Sequence, residues 1–222
     1  TWTPTSQTFN EVPSPIVPGF TADPQTVPAI TVTPTDGDIM RNVYYTPQKQ
    51  VITYRVIDDT DNRVLQDYTD LTDGDSNSLV TAQALQQWDD IVHNWTQRDG
   101  YTLDVNKADG RGFDLLPKQF DDDSDVNQNV DIFLVHTYSP VNPQHPHAGV
   151  DPSRYEKQVK ETVHYEGAGA LTPKDHVQTS TWTRTLTIDN ATGKLVPVGG
   201  QYTSDWQIAP GALANVLDQF AR

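Results

Sequence analysis

Proline dominates the first 47 residues of the chain and limits what they can fold into. Eight prolines fall in this stretch: Pro4, Pro13, Pro15, Pro18, Pro24, Pro28, Pro34 and Pro47. Each lacks a backbone N–H and has a nearly fixed φ, so it breaks helices and is tolerated mainly at strand edges. The stretch is therefore predicted to hold short strands, at 19–23 and 41–46, and no helix.

A β-β-α-β-β pattern follows. Apolar residues between Leu79 and Arg98 recur at helical spacing, which predicts one amphipathic helix that begins after Ser78 and ends at Gly100. Alternating β-branched and aromatic residues predict strands on both sides of it. These strands are Gln50–Ile57, Arg63–Thr69, Tyr101–Val105 and Val130–Tyr138. The order predicts an α+β domain in which a single helix covers one face of a sheet.

The last third of the chain opens with a proline-rich stretch at 139–156, which has the composition of a linker. Strands are predicted at Lys157–Glu166, at Gln178–Ile188, where apolar residues alternate with threonine, and at Lys194–Val198. Leu213, Val216, Leu217 and Phe220 indicate a short terminal helix.

Composition narrows the choice of partners. The chain has 15 basic and 30 acidic residues, a formal net charge of −15. Such a surface repels phosphate backbones and anionic lipids, so neither nucleic acid binding nor membrane insertion is expected. There is no cysteine, which excludes disulfides, thiolate metal sites and cysteine nucleophiles. The hydrophobic fraction of 35% suits two small domains better than one deep core.

Several segments resemble the mucus-binding repeats of surface adhesins from lactic-acid bacteria. Val163–Asp175 and Thr181–Gly193 look like the start of the second module of such a repeat, called B2. Val51–Asp59 resembles the smaller first module, called B1 or MucBP-like. Segments in the first 46 residues, including Ser14–Asp23 and Asn42–Thr46, are similar to the closing part of a B2 module.

The resemblance implies a domain order that is out of phase with the family repeat. Residues 1–46 would be the closing strands of a B2 module and residues 47–139 a complete B1 domain. Residues 140–156 would be a linker, and residues 157–222 the opening hairpin and short helix of another B2 module. We expect residues 1–46 and 157–222 to pair within one chain or by strand exchange between neighbouring repeats.

The resemblance also implies fold, function and location. The expected fold is a β-grasp, ubiquitin-like or protein L-like, with a mixed four-stranded sheet packed on one helix in each of two related domains. The expected function is adhesion to mucin glycoproteins and, from the likeness to the light-chain-binding unit of protein L, to immunoglobulins. The chain would then belong to a protein anchored in the cell wall of a Gram-positive bacterium. The alternative is a spacer that only projects other adhesin domains.

Candidate binding residues come from two exposed surfaces of the first sheet domain. Gln66 and Tyr68 lie on the predicted hairpin edge strand, and Gln86 and Asp90 lie on the polar side of the helix. Edge strands and exposed helix faces are common surfaces for protein recognition.

Aspartates in the loop at 121–125 suggest the one candidate metal site. Asp121, Asp123 and Asp125 supply alternating carboxylates of the kind that Ca²⁺ prefers, although a solvated acidic loop is the more ordinary interpretation. The acidic segment Asp73–Asn77 starts like an EF-hand loop but lacks its later glycine and glutamate. No cofactor is required, and a structural Ca²⁺ ion is the alternative.

Catalysis is not expected. The six histidines are scattered, and the sequence contains no HExxH, Gly-x-Ser-x-Gly or P-loop motif. A glycosidase would need two carboxyl groups about 5–10 Å apart in a cleft that binds sugar. Domains this small offer little cleft, and their acids cluster in turns. The chain is therefore predicted not to be an enzyme.

Overall fold

Residues 5–196 and 203–209 are described by the computed structural model of the chain, and they are mostly β with one α-helix. The chain divides into two compact units. The first comprises Thr1–Arg98 and Thr102–Val135, and the second comprises Asp99–Tyr101 and His136–Arg222. The predicted terminal helix at 211–222 lies outside the described residues.

Short antiparallel ladders make up the first 47 residues, as the prolines predict. Their six strands are β1 (Gln7–Phe9), β2 (Val12–Pro13), β3 (Phe20–Asp23), β4 (Thr26–Val27), β5 (Ile30–Val32) and β6 (Tyr44–Pro47). The ladders are two-stranded: β1 pairs with β5, β2 with β4 and β3 with β6. This segment belongs to the first compact unit. Gly19 allows a close approach within that unit: it has a left-handed φ of 75°, and a Cβ added there would lie 2.7 Å from the Ser76 Cβ.

A mixed four-stranded sheet is the centre of the first unit. Its strands are β7 (Lys49–Asp58), β8 (Arg63–Asp75), β9 (Tyr101–Leu103) and β10 (Gln128–His136), in the order β8-β7-β10-β9. β7 runs antiparallel to β8 and parallel to β10. The strand predicted at Arg63–Thr69 is too short, because β8 continues to Asp75. There the Asp75 carboxylate lies 2.8 Å from Lys49 Nζ on the paired strand.

Helix α1 spans Ala82–Thr96 and packs on this sheet through Ala84, Trp88 and Val92. The Trp88 ring meets the Tyr54 ring of β7 edge-on, with centroids 6.1 Å apart.

The helix is shorter than the predicted Leu79–Arg98. Residues 78–80 are extended instead, because their backbone bonds to residues 118–120, with the Phe120 N–H donating to Ser78 O at 2.9 Å. Thr81 is therefore the N-cap in place of Ser78, and its Oγ1 accepts from the Ala84 N–H. The C-cap is Gln97, not Gly100.

The second unit holds two three-stranded sheets. β11 (Tyr138–Val141), β14 (Leu186–Asp189) and β15 (Lys194–Leu195) form one, and β12 (Glu156–Val163), β13 (His176–Thr183) and β16 (Gln207–Ile208) form the other. Single 3₁₀ turns occur at Pro152–Arg154 and Gly169–Leu171. The strand predicted at Gln178–Ile188 is divided at Arg184 and Thr185, so that its two parts join different sheets. The core of this unit consists of Val141, Tyr155, Leu186 and Ile188, to which the proline-rich stretch contributes the first two.

No helix within residues 5–196 and 203–209 combines the length and the apolar character that crossing a lipid bilayer requires.

Candidate functional site

The side chain of Tyr68, on the edge strand β8, is held in place by a neighbouring arginine. The guanidinium carbon of Arg55 lies 4.6 Å from the centroid of the Tyr68 ring, a cation–π contact. Arg55 in turn forms a two-pronged hydrogen bond to Asp131 on β10, with distances of 3.1 Å from Nε and 2.7 Å from Nη2. The hydrogen bond to Asp131 is the main cause that raises the pKa of Arg55 above its ordinary value. Tyr68 is thus held in place while 42% of its surface stays exposed.

The two predicted binding residues on the helix, Gln86 and Asp90, are not on the same face of the sheet as Tyr68. Tyr54 packs against the helix, so the next residue of β7, Arg55, and the Tyr68 ring beside it lie on the opposite face of the sheet. Gln86 and Asp90 lie on the exposed side of α1, where the Gln86 amide donates to Asp90 at 3.0 Å. The structure therefore brings Gln86 and Asp90 together and separates them from Tyr68.

Gln66 is placed two residues before Tyr68 on the edge strand and is partly buried. Its side-chain amide donates to the Thr69 hydroxyl at 3.2 Å. Gln66 and Tyr68 are therefore close neighbours on β8, as the edge-strand prediction requires.

The acidic loop at 121–125 directs carboxylates toward its own backbone. The Asp123 N–H donates to Asp121 Oδ1 at 3.2 Å, and the Asp125 N–H donates to Asp123 Oδ1 at 3.1 Å. The Ser124 hydroxyl ties the loop to Gln48 at 2.9 Å. Asp123 and Asp125 are exposed. These hydrogen bonds leave the second oxygen of each of the two bonded carboxylates for solvent or a cation.

Two of the histidines are paired with carboxylates. His136 is buried, with its Nδ1 2.7 Å from Asp189 Oδ2, and the other oxygen of Asp189 accepts from the Ala191 and Thr192 N–H groups. Asp189 thus joins β10 to the turn after β14. His164 is exposed and lies 2.6 Å from Asp175 across the loop of the β12–β13 hairpin.

A cationic–aromatic patch, formed by Lys157, Arg184 and Trp206, lies on the second unit. Lys157 Nζ lies 4.9 Å and the Arg184 guanidinium carbon 4.7 Å from the centroid of the Trp206 ring. The Arg184 Nε–H donates to the Arg154 carbonyl at 2.6 Å, which fixes the guanidinium beside the ring. Trp206 and Arg184 are partly exposed and Lys157 is exposed. The patch gathers positive charge and an aromatic ring on a strongly acidic chain.

Sequence reasoning left Trp206 unassigned and did not find this patch. Its three residues come from separate segments, and the pairing of β12 with β13 and of β13 with β16 brings them together. Lys157 is opposite Trp182, and Trp182 is opposite Ile208, two residues beyond Trp206. Only knowledge of that register could have revealed the patch.

A family model and two solved structures are similar to the chain. The family model described as the Muc B2-like domain matches residues 1–49 and 150–217, more than half of the chain. One similar solved structure is described as the crystal structure of Mub-RV, with 21% identity, a TM-score of 0.46, and coverage of 72% of this chain and 73% of that one. Another is the type 2 repeat of the mucus binding protein MUB from Lactobacillus reuteri, with 22% identity, a TM-score of 0.41, and coverage of 71% of this chain and 75% of that one.

A search of curated proteins found no significant match. The assignment therefore rests on the family model and on the resemblance of the individual segments, which agree. The chain belongs to the Muc B2-like domain family.

Proposed function

We propose that the chain is a non-catalytic adhesin repeat that binds mucin glycoproteins in host mucus. Membership of the Muc B2-like family is the observation that carries this proposal. Repeats of this family belong to extracellular surface adhesins, and membership implies a module without enzymatic activity. The parent protein would be anchored in the cell wall of a Gram-positive bacterium.

The cationic–aromatic patch is our candidate for the glycan contact. Mucin glycans carry carboxylate and sulfate groups. A guanidinium binds such groups well because two of its N–H groups can donate to two oxygens of the same anion. A tryptophan beside the cations supplies an apolar ring against which a sugar can pack. Contacts of this kind are weak singly and become strong through repetition in the parent protein.

Binding of the full chain to purified mucin tests the proposal. Arg184→Gln should weaken the binding at least about fivefold, because it removes a charge-assisted hydrogen bond. The matched control is Arg98→Gln, which removes an arginine of the first unit whose guanidinium carbon lies 4.0 Å from the centroid of the Trp95 ring. Equal losses in both variants, or no loss in Arg184→Gln, would reject the patch as the site.

Treating the mucin with glycosidases separates glycan from protein recognition. If the adhesin proposal is right, removal of the glycans abolishes binding. Retention of mucin binding after deglycosylation would indicate protein recognition. No binding to mucin in any form would favour the spacer alternative, in which the chain only projects other domains.

Immunoglobulin binding is a second candidate, which the edge strand β8 supports. We propose that the first sheet domain is a β-grasp of the protein L type, since its mixed sheet carries one helix on one face. Tyr68 is braced by Arg55 and exposed beside the free edge, an arrangement that suits addition of a strand from a partner. Tyr68→Ala should then reduce immunoglobulin binding, while Gln86→Ala on the helix tests the other surface. Absence of binding by the unaltered chain would reject this candidate.

A structural calcium ion in the acidic loop is part of the same proposal. The free oxygens of Asp121 and Asp123, together with Asp125, would bind it. Calcium should then raise the melting temperature of the chain, a chelator should reverse the rise, and Asp123→Asn should reduce it. Asp36→Asn, in an exposed turn of the N-terminal segment, serves as the control. An unchanged melting temperature with added calcium would reject the site.

We also propose the domain order deduced from the resemblance. Residues 1–46 would be the closing strands of one B2 module, and residues 47–139 would form a B1 domain. Residues 140–156 would be the linker to residues 157–222, which would be the opening part of the next B2 module. The family match to both outer segments supports this order.

A further inference from the structure

The β12–β13 hairpin is an incomplete sheet. All eight residues of β12 are exposed, and β13 has a second neighbour only at Trp182 and Thr183, where it pairs with β16. A two-stranded ribbon is marginally stable in water unless a further layer or strand covers it. Val159 is nevertheless 59% exposed and Val163 36%, and both side chains lie on the same face of β12. Within the described residues of its unit, this part of the hairpin lacks a covering layer.

The N-terminal segment is incomplete in the same way. Its two-stranded ladders leave an open groove of about 450 Å³, lined by apolar side chains and by the polar residues Asn10, Thr33, Asp36, Asp38 and Arg41. Its apolar lining residues are Phe9, Val12, Val27, Pro28, Ile30, Val32 and Ile39. Phe9 is 54% and Ile39 49% exposed. These exposed apolar side chains offer a surface on which a further strand or side chain could pack.

The two incomplete parts match the same domain family. The Muc B2-like model covers residues 1–49, which contain the groove, and residues 150–217, which contain the hairpin. A single domain type thus supplies both an uncovered ribbon and an uncovered groove. Each has exposed β-branched residues and free strand edges with which the other could pair.

The two segments carry little net charge, so they can associate although the whole chain is strongly acidic. Residues 5–47 contain four acidic residues and one basic residue, and residues 156–183 contain four acidic and three basic. These two segments thus hold only a small part of the excess of negative charge. Two copies can therefore meet at these surfaces with little repulsion.

We propose that the N-terminal groove of one chain receives the β12–β13 hairpin of a second copy. The contact is heterologous, because a groove meets a hairpin and not a second groove. Two copies can satisfy each other reciprocally, and further copies can add in the same direction. This self-association is independent of mucin binding, so its failure would leave the adhesin proposal standing.

Complementary variants of the full chain test the contact. Ile39→Asp places a charge in the groove, and Val159→Asp places one on the hairpin; both positions are exposed, so the fold should tolerate the change. Molecular mass is measured by light scattering and by sedimentation, from about 10 μM to about 1 mM, the range of weak protein association. The unaltered chain should form dimers or larger species. Each variant alone should associate at least about tenfold more weakly.

Mixing the two variants gives the decisive result. Ile39→Asp keeps an intact hairpin and Val159→Asp keeps an intact groove, so an equimolar mixture should form a heterodimer that neither forms alone. Phe9→Asp and Val163→Asp provide a second pair, and circular dichroism checks that each variant is folded. The matched controls are Met40→Asp and Leu171→Asp, at positions 88% and 86% exposed, which should associate like the unaltered chain.

Several outcomes would overturn the proposal. The unaltered chain could remain monomeric over the whole concentration range, or the single variants could associate as strongly as it does. The mixture of the two variants could remain monomeric, or the control variants could lose association as the groove and hairpin variants do.

Discussion

Trp88 packs the helix of the first sheet domain onto its sheet. It is 3% exposed and meets both Tyr54 and Phe113 edge-on, with ring centroids 6.1 and 6.4 Å apart. Its buried Nε1–H has no hydrogen-bond partner among the described residues. The ring therefore stabilises the domain through its volume and aromatic contacts, and its N–H adds no hydrogen bond.

Shortening Trp88 should accordingly destabilise the first domain. We expect Trp88→Ala to lower the free energy of unfolding by about 3–5 kcal/mol, because it leaves a cavity between sheet and helix. Trp88→Phe should cost only about 1–2 kcal/mol, since it keeps an aromatic ring and removes the unpaired N–H. Denaturant unfolding measures both. Trp95→Ala, at a partly exposed position of the same helix, is the control and should cost less than Trp88→Ala.

Asp104 should make stability depend on pH in the acid range. This buried carboxylate accepts the Asn106 N–H at 2.9 Å, and that hydrogen bond is the largest cause that lowers the pKa of Asp104 below its ordinary value of 3.8. Because the folded pKa lies below the unfolded one, the carboxylate stabilises the fold fully above the unfolded value. The contribution is lost as the pH falls through the folded pKa.

Acid unfolding of Asp104→Asn measures this contribution. We expect the variant to be less stable than the unaltered chain at pH 7 by about 1–2 kcal/mol, since it loses a charge-assisted hydrogen bond. The difference should shrink as the pH falls below about 4. A difference that stays constant down to pH 2 would show that the charge of Asp104 does not matter.

Turns with left-handed glycines hold the elements of the second unit together. Gly100 has a φ of 87°, and a Cβ added there would lie 2.4 Å from the Ala191 backbone nitrogen. In the turn that contains Ala191, the Ala191 N–H donates a hydrogen bond to the Asp189 carboxylate. The glycine is thus required both by its conformation and by the close approach of two backbones.

Gly100→Ala should therefore destabilise the second unit more than a left-handed conformation alone explains. Gly193→Ala is the matched control, because Gly193 has a φ of 66° in the same turn region but nothing within 4 Å of its added Cβ. We expect about 1–2 kcal/mol of destabilisation for the control, from backbone strain. The loss in Gly100→Ala should be at least twice as large. Equal losses in thermal unfolding would contradict the close approach.

Periodicity predicted the strands and the helix well but not their ends. The apolar stripe identified α1, yet its first turn was misplaced because residues 78–80 bond to a strand-like segment 40 residues away. Likewise, the strand was predicted to end at Thr69, whereas pairing with β7 extends it through Asp75. Long-range backbone pairing overrides local preference in both cases, and a single sequence does not contain it.

The candidate site was predictable only where it is local. Gln66 and Tyr68 could be placed on an edge strand because they follow a hairpin turn. The support of Tyr68 by Arg55 and Asp131 depends on the register of three strands. The cationic–aromatic patch depends on three segments up to 49 residues apart, so composition and spacing gave no signal for it.

At the scale of the whole molecule, the acidic charge and the small basic patch act in opposition. A net charge of −15 repels acidic glycans at long range, where salt screens the interaction. As the proposed glycan contact, the patch would attract them at short range, where screening is weaker. We therefore expect mucin binding by a single chain to change little, or to strengthen, between low and physiological salt. A steep loss of binding with salt would indicate that attraction, and not repulsion, dominates at long range.

Repetition should convert weak single-site binding into firm adhesion. Two copies joined by a flexible linker bind a surface of many glycans with an effective concentration that the linker sets, and the expected gain is about 10²–10⁴-fold over one copy. Surface binding to immobilised mucin measures this gain. The control is a tandem in which one copy carries Arg184→Gln, which should lose most of the gain while keeping the same mass. A soluble monovalent glycan, which can engage only one copy at a time, should bind the single and tandem chains with equal affinity per site.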